Sequence, residues 1–492
     1  MKLPVLPKLS QRGDFVEYPK EISSLAVKEI FGNAADLVVR PVSVGETVAT
    51  VFFIDGLTSG SEIAEYVLQP MSQALRGTET QVYEGCLDGR VYSAVAKAVE
   101  DLQQLSLLLV NGFCVVVFDG IGKAAAFEAK TGEKRSPAPP EVENTVKGPK
   151  DAFTETNRTN TSLIRRHLRS PQLRIYETQV GRRSQTNVSL MWLDGVTSPK
   201  IVKRMKERLA QIDVDGFLTP SAVEEYVTGS RDTAFPLLQY TQRTDKFSRG
   251  ILDGRVGLLI DGLPLGYLAP AELTGFLVSP EDQGMDHISA SCVRVLRYVA
   301  LLASLLLPAL FVAMAAFHQE MIPTKLLLSI IESKQQVPFP TVVEVLGILI
   351  AFEILQEAGI HLPQSLGQTV SIVGGLVVGS AAVEAKIISP AALIVVSVAG
   401  ICGYAIPGRE LAGAVRVWRF GLTLCAAAAG LFGVSVGVIA LLIHLAGLES
   451  FGLSYLRPFD RGETGGVVLR RKLVKNKFRD PALGVEDLRR QK

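Results

Sequence analysis

Cysteine and histidine are scarce in this chain. Five cysteines are spread over 492 residues, and none belongs to a CxxC pair. That scatter excludes a zinc-binding or disulfide framework and fits a reducing compartment. Cys86, Cys114, Cys292, Cys402 and Cys425 then read as small apolar packing residues. Of the five histidines, His167 is set among arginines, a poor neighbourhood for a metal ligand. The opening residues, MKLPVLPKLSQRGDF, lack an apolar run of leader length, so the front of the chain is expected to stay on the side where it is made. The net charge of +2 says little by itself; its placement says more. A chain of this length is expected to hold roughly two or three domains.

What is present, first, is a repeat. The β-rich run VATVFFI ends in Asp55-Gly56 and a helical pattern follows over 61–75; VSLMWL ends in Asp194-Gly195 and a helical pattern follows over 199–212. Thr58-Ser59 corresponds to Thr197-Ser198. A second strand signal recurs too, CVVVF after Asn111-Gly112 and VGLLI after Asp253-Gly254, each ending in Asp-Gly at 119–120 and 261–262. The front therefore reads as a duplicated α/β domain of two related subdomains, 37–145 and 146–284, behind an N-terminal segment 1–36. An aspartate at a strand end suits a nucleophile or a metal ligand. It suits a tight turn equally, with Gly taking positive φ and Asp bonding the local backbone. No second carboxylate, His or GxGxxG loop recurs beside these aspartates, so catalysis, metal and cofactor are not expected.

A Pro-rich hinge at 136–149 separates the halves, and the most basic stretch follows. Arg165, Arg166 and Arg169 fall on a helical pattern over 154–169, with Arg182 and Arg183 close behind. Such a cluster suits nucleic acid, anionic lipid or an acidic partner surface, or is simply a solvated face. No aromatic platform of the RNA-binding kind accompanies it, which leaves a subunit or lipid contact as the functional reading.

The last two-fifths is different in kind. Residues 298–317, 366–383, 387–406 and 420–442 carry no charge, and each is near the ~20 residues needed to cross a bilayer. Within 366–383, Gly367, Ser371, Gly375 and Gly379 recur every fourth residue, a small-residue ridge on a helix that lets another backbone approach closely. Residues 325–334 are too short and too charged at their ends to span, and suit an interface. The oddity is 342–358, which carries Glu344, Glu353 and Glu357. Carboxylates at membrane depth point to an ion path, unless the helix is re-entrant or interfacial. On a helix Glu353 and Glu357 share a face and Glu344 lies roughly opposite. The fold class expected is thus the duplicated α/β domain followed by an α-helical polytopic membrane domain, 285–456, and a basic tail, 457–492.

Charge placement gives a puzzle. The front and the basic tail both belong inside, which needs an even number of spans. Four spans that omit 342–358 put Arg409, Arg416 and Arg419 outside; counting 342–358 corrects them but strands the tail. The stretch 420–448 is long enough to be tilted or broken, and either reconciles both. The reading favoured here is four spans plus re-entrant or interfacial helices.

Several long motifs then resemble one family. TETNRTNTSLIRRHLRSPQLRI, VGRRSQTNV, FHQEMIPTKLLLSI, VPFPTVVEVL, LPQSLGQTVSIVGGLVVGSAAVEAKIISPAALIVV and SFGLSYLRP are similar to the GerA-type spore germination proteins, in order from about Asp36 to Pro458. Ser380 and Gly408 depart from the family pattern, where Gln and Asn are expected. The resemblance implies the A-subunit of a nutrient germinant receptor in the spore inner membrane, with its soluble domain and tail on the core side. It implies a homo-oligomer, a pentamer, opening as a cation channel to start germination. It further implies a transporter-like B-subunit that holds the nutrient, a lipoprotein C-subunit and surrounding membrane lipids as partners. The alternatives are a paralogous channel acting downstream and a non-conducting scaffold that clusters receptors.

Overall fold

The computed structural model describes residues 18–130, 147–361 and 379–457 except 20, 33, 92, 94, 218, 230 and 231, together with 140, 143, 145, 459, 468 and 469. Gly367, Ser371 and Gly375 lie outside the described residues. The chain forms two units, one from the front through Gly229 with Tyr240–Ala269, the other from 230–239 and from Pro270 onward.

The front unit holds two five-stranded antiparallel sheets. In chain order its first half is α1 (Ser24–Phe31), β1 (Leu37–Val44), β2 (Thr47–Ile54), α2 (60–74, with Ile63–Leu68 in π geometry), α3 (Glu79–Leu87), β3 (Ala96–Val99), α4 (Leu102–Val110), β4 (Phe113–Phe118) and β5 (Lys123–Glu128). The second half is α5 (Asn157–His167), β6 (Leu173–Val180), β7 (Thr186–Leu193), α6 (Pro199–Gln211), α7 (Pro220–Thr228), β8 (Gln239–Thr241), α8 (Thr244–Leu252), β9 (Val256–Ile260) and β10 (Gly266–Ala269). The sheets run β1-β2-β4-β5-β3 and β6-β7-β9-β10-β8, the same order at matching places.

Strand β4 explains the layering. Its six residues are all buried, and alternate side chains leave opposite faces. Phe113, Val115 and Val117 pack with Val27, Ile30, Leu105 and Leu109 from α1 and α4; Cys114, Val116 and Phe118 pack with Ile63, Met71, Val82 and Cys86 from α2 and α3. A strand covered on both sides has to be apolar throughout, which is what CVVVF is. The same burial pushes the Cys86 and Cys114 thiols up to about 12, so both are unreactive packing groups. Cys292, by contrast, is exposed.

The strand-end aspartates all have polar partners. Gly56, Gly195 and Gly262 take φ of 83°, 76° and 84°, left-handed values that only glycine adopts without cost. Asp55 pairs with Arg158 at 3.1 Å, Asp194 with Arg174 at 3.1 Å, and Asp261 accepts from the N–H of Asn157 at 2.9 Å. Asp119 accepts from the N–H of Ser24. Each has a different partner, and all four of these partners lie far along the chain rather than in the turn itself.

The helical unit contains α9 (His287–Ala316), α10 (Thr324–Lys334), α11 (Thr341–His361), α12 (Gly379–Glu384), α13 (Pro390–Tyr404) and α14 (Arg409–Gly447). Asp286 caps α9, and hydrogen bonds from Ser289 hold its carboxyl down to about 2. Among the described residues α9 and α14 are long and apolar enough to cross a bilayer. The uncharged run at 387–406 yields only the fifteen residues of α13, because Ser389-Pro390 starts the helix late with a Ser cap.

Helix α14 is not one rod. Ala429 and Gly430 leave helical geometry, Gly430 at φ 59° and ψ −139°. A Cβ on Gly437 would fall 2.6 Å from Leu422 Cδ2, and one on Gly433 would collide with the Cys425 carbonyl. In a straight helix Leu422 and Gly437 would be ~22 Å apart. The two legs therefore fold back on each other, and the rings of Trp418 and His444 meet at 5.6 Å nearer the open end. Glycines at 433 and 437 allow that close approach. The run 420–442 is a helical hairpin, not a single crossing.

The hairpin orients the rest. Gly408 donates to Phe276 O at 3.2 Å, so α9 and α14 begin at one end, here the base. Phe317 and His318, just past α9, lie against Gly430 at the tip. Helix α13 returns toward the base, with Gly403 against Ser304 of α9. The N-termini of α11 and α13 meet through Glu344 and Ser389, so these two helices run in the same direction.

Candidate functional site

Among the described residues of the helical unit, three carboxylates singled out by their basic neighbours are Asp282, Glu353 and Glu344. At the base, Asp282 is fully buried and takes a two-bond grip from Arg297 (2.7 and 2.8 Å), with Arg294 at 3.4 Å. The two arginines in the first turns of α9 thus share one buried carboxylate.

Halfway along α11, Glu353 accepts from Arg416 at 2.9 Å and from Arg419 at 3.0 Å, both on the first leg of α14. Arg416 and Arg419 are three apart and share a helix face, which sets them on one carboxylate. Glu357, one turn further on, is exposed. Glu353→Gln removes the charge facing a buried Arg419 and is expected to lower stability by about 1–3 kcal/mol, read by thermal unfolding in detergent. Arg416→Gln is expected to cost less, because that side chain is one-third exposed.

The third group is Glu344, whose side chain is fully buried. Its Oε2 accepts from the backbone N–H of Ser389 at 2.9 Å; its Oε1 accepts no hydrogen bond among the described residues. Among the described residues its cationic neighbour is Lys334, with Nζ 3.9 Å from Oε1 and also hydrogen-bonded to Thr341 Oγ1. Gly379 begins α12 and faces Leu393 of α13 at van der Waals distance.

The arginine cluster does not hold together as one patch. Arg165 is buried and grips Asp36 through Nε (2.7 Å) and Nη2 (2.9 Å), with Nη1 on Ser170 O at 3.1 Å. Its guanidinium faces inward, so it is no surface contact for a subunit or lipid; it pins the segment ahead of β1 to α5. Arg166 and Arg169 are exposed, and Arg169 reaches Asn111 at 3.1 Å. Arg182 and Arg183 occupy the β6–β7 turn, paired with Asp213 and Asp215. Asp213 raises the Arg182 pKa further. Sequence spacing missed Asp36, Lys334 and Arg416 as partners, since each lies in another element.

Residues 26–482 match the family described as Bacillus/Clostridium GerA spore germination protein. The chain belongs to that family. Spore germination protein KA of Bacillus subtilis (strain 168) is 35% identical over 467 residues, 94% of this chain and 84% of the relative. The uncharacterized membrane protein YfkQ of Bacillus subtilis (strain 168) is 34% identical over 89% of this chain and 86% of its own length. Spore germination protein GerLA of Bacillus cereus is 33% identical over 92% and 91%. The crystal structure of the N-terminal domain of the A subunit of the Bacillus megaterium spore germinant receptor GerK3 aligns at 26% identity and a TM-score of 0.40, covering 52% of this chain and 98% of that one.

Proposed function

We propose that this chain is the A-subunit of a nutrient germinant receptor of the spore inner membrane, a multi-pass protein that assembles into a ring, a pentamer, and passes monovalent cations to start germination. The observation that carries the reading is the buried Glu344 carboxylate, incompletely hydrogen-bonded among the described residues of the apolar helices, a costly placement that function explains better than stability does. Partner chains in this reading are a transporter-like B-subunit that binds the nutrient and a lipoprotein C-subunit. The hairpin in α14 supports the topology. It brings Arg409, Arg416 and Arg419 to the same end as Arg294 and Arg297 and returns the chain at Gly447 to that end, as expected if that end is cytoplasmic. Four crossings with Arg409 outside are not needed.

Spores lacking only this chain test the proposal through nutrient-triggered potassium release. Loss of release for one nutrient, with other triggers intact, is expected. Slower release for every nutrient would instead identify the chain as a downstream amplifying channel. Unchanged release for all nutrients in a strain without other receptors of this family would reject both.

A further inference from the structure

The Glu344 pocket holds a cation of the chain's own in an unusual way. Glu344 lies in the first turn of α11 and accepts from the first turn of α13, so its carboxylate faces two positive helix ends. Those ends favour the anion and disfavour the ammonium of Lys334 beside it. Lys334 is the last residue of α10, a helix none of whose residues is buried, whereas the start of α11 is packed through Val345, Ile348 and Leu349. One partner is fixed and the other is carried on an element with little to hold it. The 3.9 Å separation leaves Oε1 facing the ammonium without a hydrogen bond.

We infer that Lys334 is a tethered cation that occupies the Glu344 site in the closed state and is displaced by a free monovalent cation on opening. The inference rests on the proposed cation path and names how it is kept shut. An ammonium and a hydrated potassium ion compete for one carboxylate, so the path is closed while α10 stays in place. Movement of α10 away, which breaks few apolar contacts, exposes the site. No covalent step is involved; one cation replaces another, and net charge at the site is unchanged.

The test is potassium release from spores without any nutrient, with the full chain at its native level in the membrane checked by immunoblot. Lys334→Gln spores are expected to leak about fivefold faster than wild type, the shift that one lost, partly exposed ion pair gives a two-state equilibrium. Lys334→Arg is expected to stay quiet, and Lys334→Gln with Glu344→Gln is expected to lose the leak. Quiet Lys334→Gln spores, or a leak that survives Glu344→Gln, would overturn the inference. If the Lys334→Gln chain is missing from the membrane, Lys334→Met, which keeps the apolar stem and removes the charge, decides: a leak supports the tethered cation and quiet spores reject it. Nutrient-triggered release separates the two levels of the claim. Normal triggered release in Glu344→Gln spores would remove Glu344 from the path itself. Impaired triggered release there, with quiet Lys334→Gln spores, would remove only the tether.

Discussion

Arg165→Met is expected to lower the unfolding free energy of the front unit by about 3–5 kcal/mol, because it leaves Asp36 charged and buried without its partner. Both side chains are nearly free of solvent, at 1% and 2% exposure, so screening offers no relief. The pair spans 129 residues of sequence and joins the start of the first sheet to the helix that opens the second half. Nearby bonds tie the same seam: the N–H of Ala35 donates to Ile175 O at 3.0 Å, and Arg174 donates to Ile30 O at the C-terminal end of α1. Urea unfolding followed at Trp192 of β7, in a Trp418→Phe background, isolates this unit. Replacing both partners, Arg165→Met with Asp36→Leu, is expected to recover most of the loss, since a packed apolar pair needs no compensating charge. Equal losses in the single and the double variant would mean that packing around the arginine stem, not the ion pair, carries the effect.

The seam also marks where sequence reading stopped. Strands β2, β4, β7 and β9 were legible because each is a run of β-branched and aromatic residues bounded by Asn-Gly or Asp-Gly, a local signal. That the two sheets share one order follows from the recurrence of those signals at matching places. Arg165 was legible only as one of several arginines. Its burial depends on Asp36, a residue with no local mark, and a charge count along the chain cannot separate a paired guanidinium from a solvated one. The same limit applies in the helical unit. Glu353 stood out as a carboxylate in an apolar run, but Arg416 and Arg419 stood out only as misplaced positive charges. Their pairing removes both oddities together. The hairpin was harder still, since Phe420–Leu442 lacks any charge or proline to mark a turn. Its only local sign is glycine at 430, 433 and 437, which a membrane helix uses for packing as readily as for reversal.

That ambiguity makes the hairpin the second place where a large effect is expected. Gly433→Val drives a branched side chain into the Cys425 carbonyl, a backbone group of the opposite leg that cannot rotate away. A loss of about 3 kcal/mol or more is expected, read as a lower unfolding temperature in detergent followed at Trp418 in a Trp192→Phe background. Shrinking a neighbouring side chain should not rescue it. Gly437→Ala meets a side chain instead, Leu422 Cδ2 at 2.6 Å. Combined with Leu422→Ala its penalty should largely disappear, giving a coupling of about 1 kcal/mol in a double-mutant cycle. A continuous crossing helix makes the opposite prediction. Positions 422 and 437 would then lie ~22 Å apart, beyond contact, and their effects would simply add. The cycle therefore decides whether the last apolar stretch crosses once or turns at Gly430, and with it whether Arg409 and the basic tail share one side of the membrane.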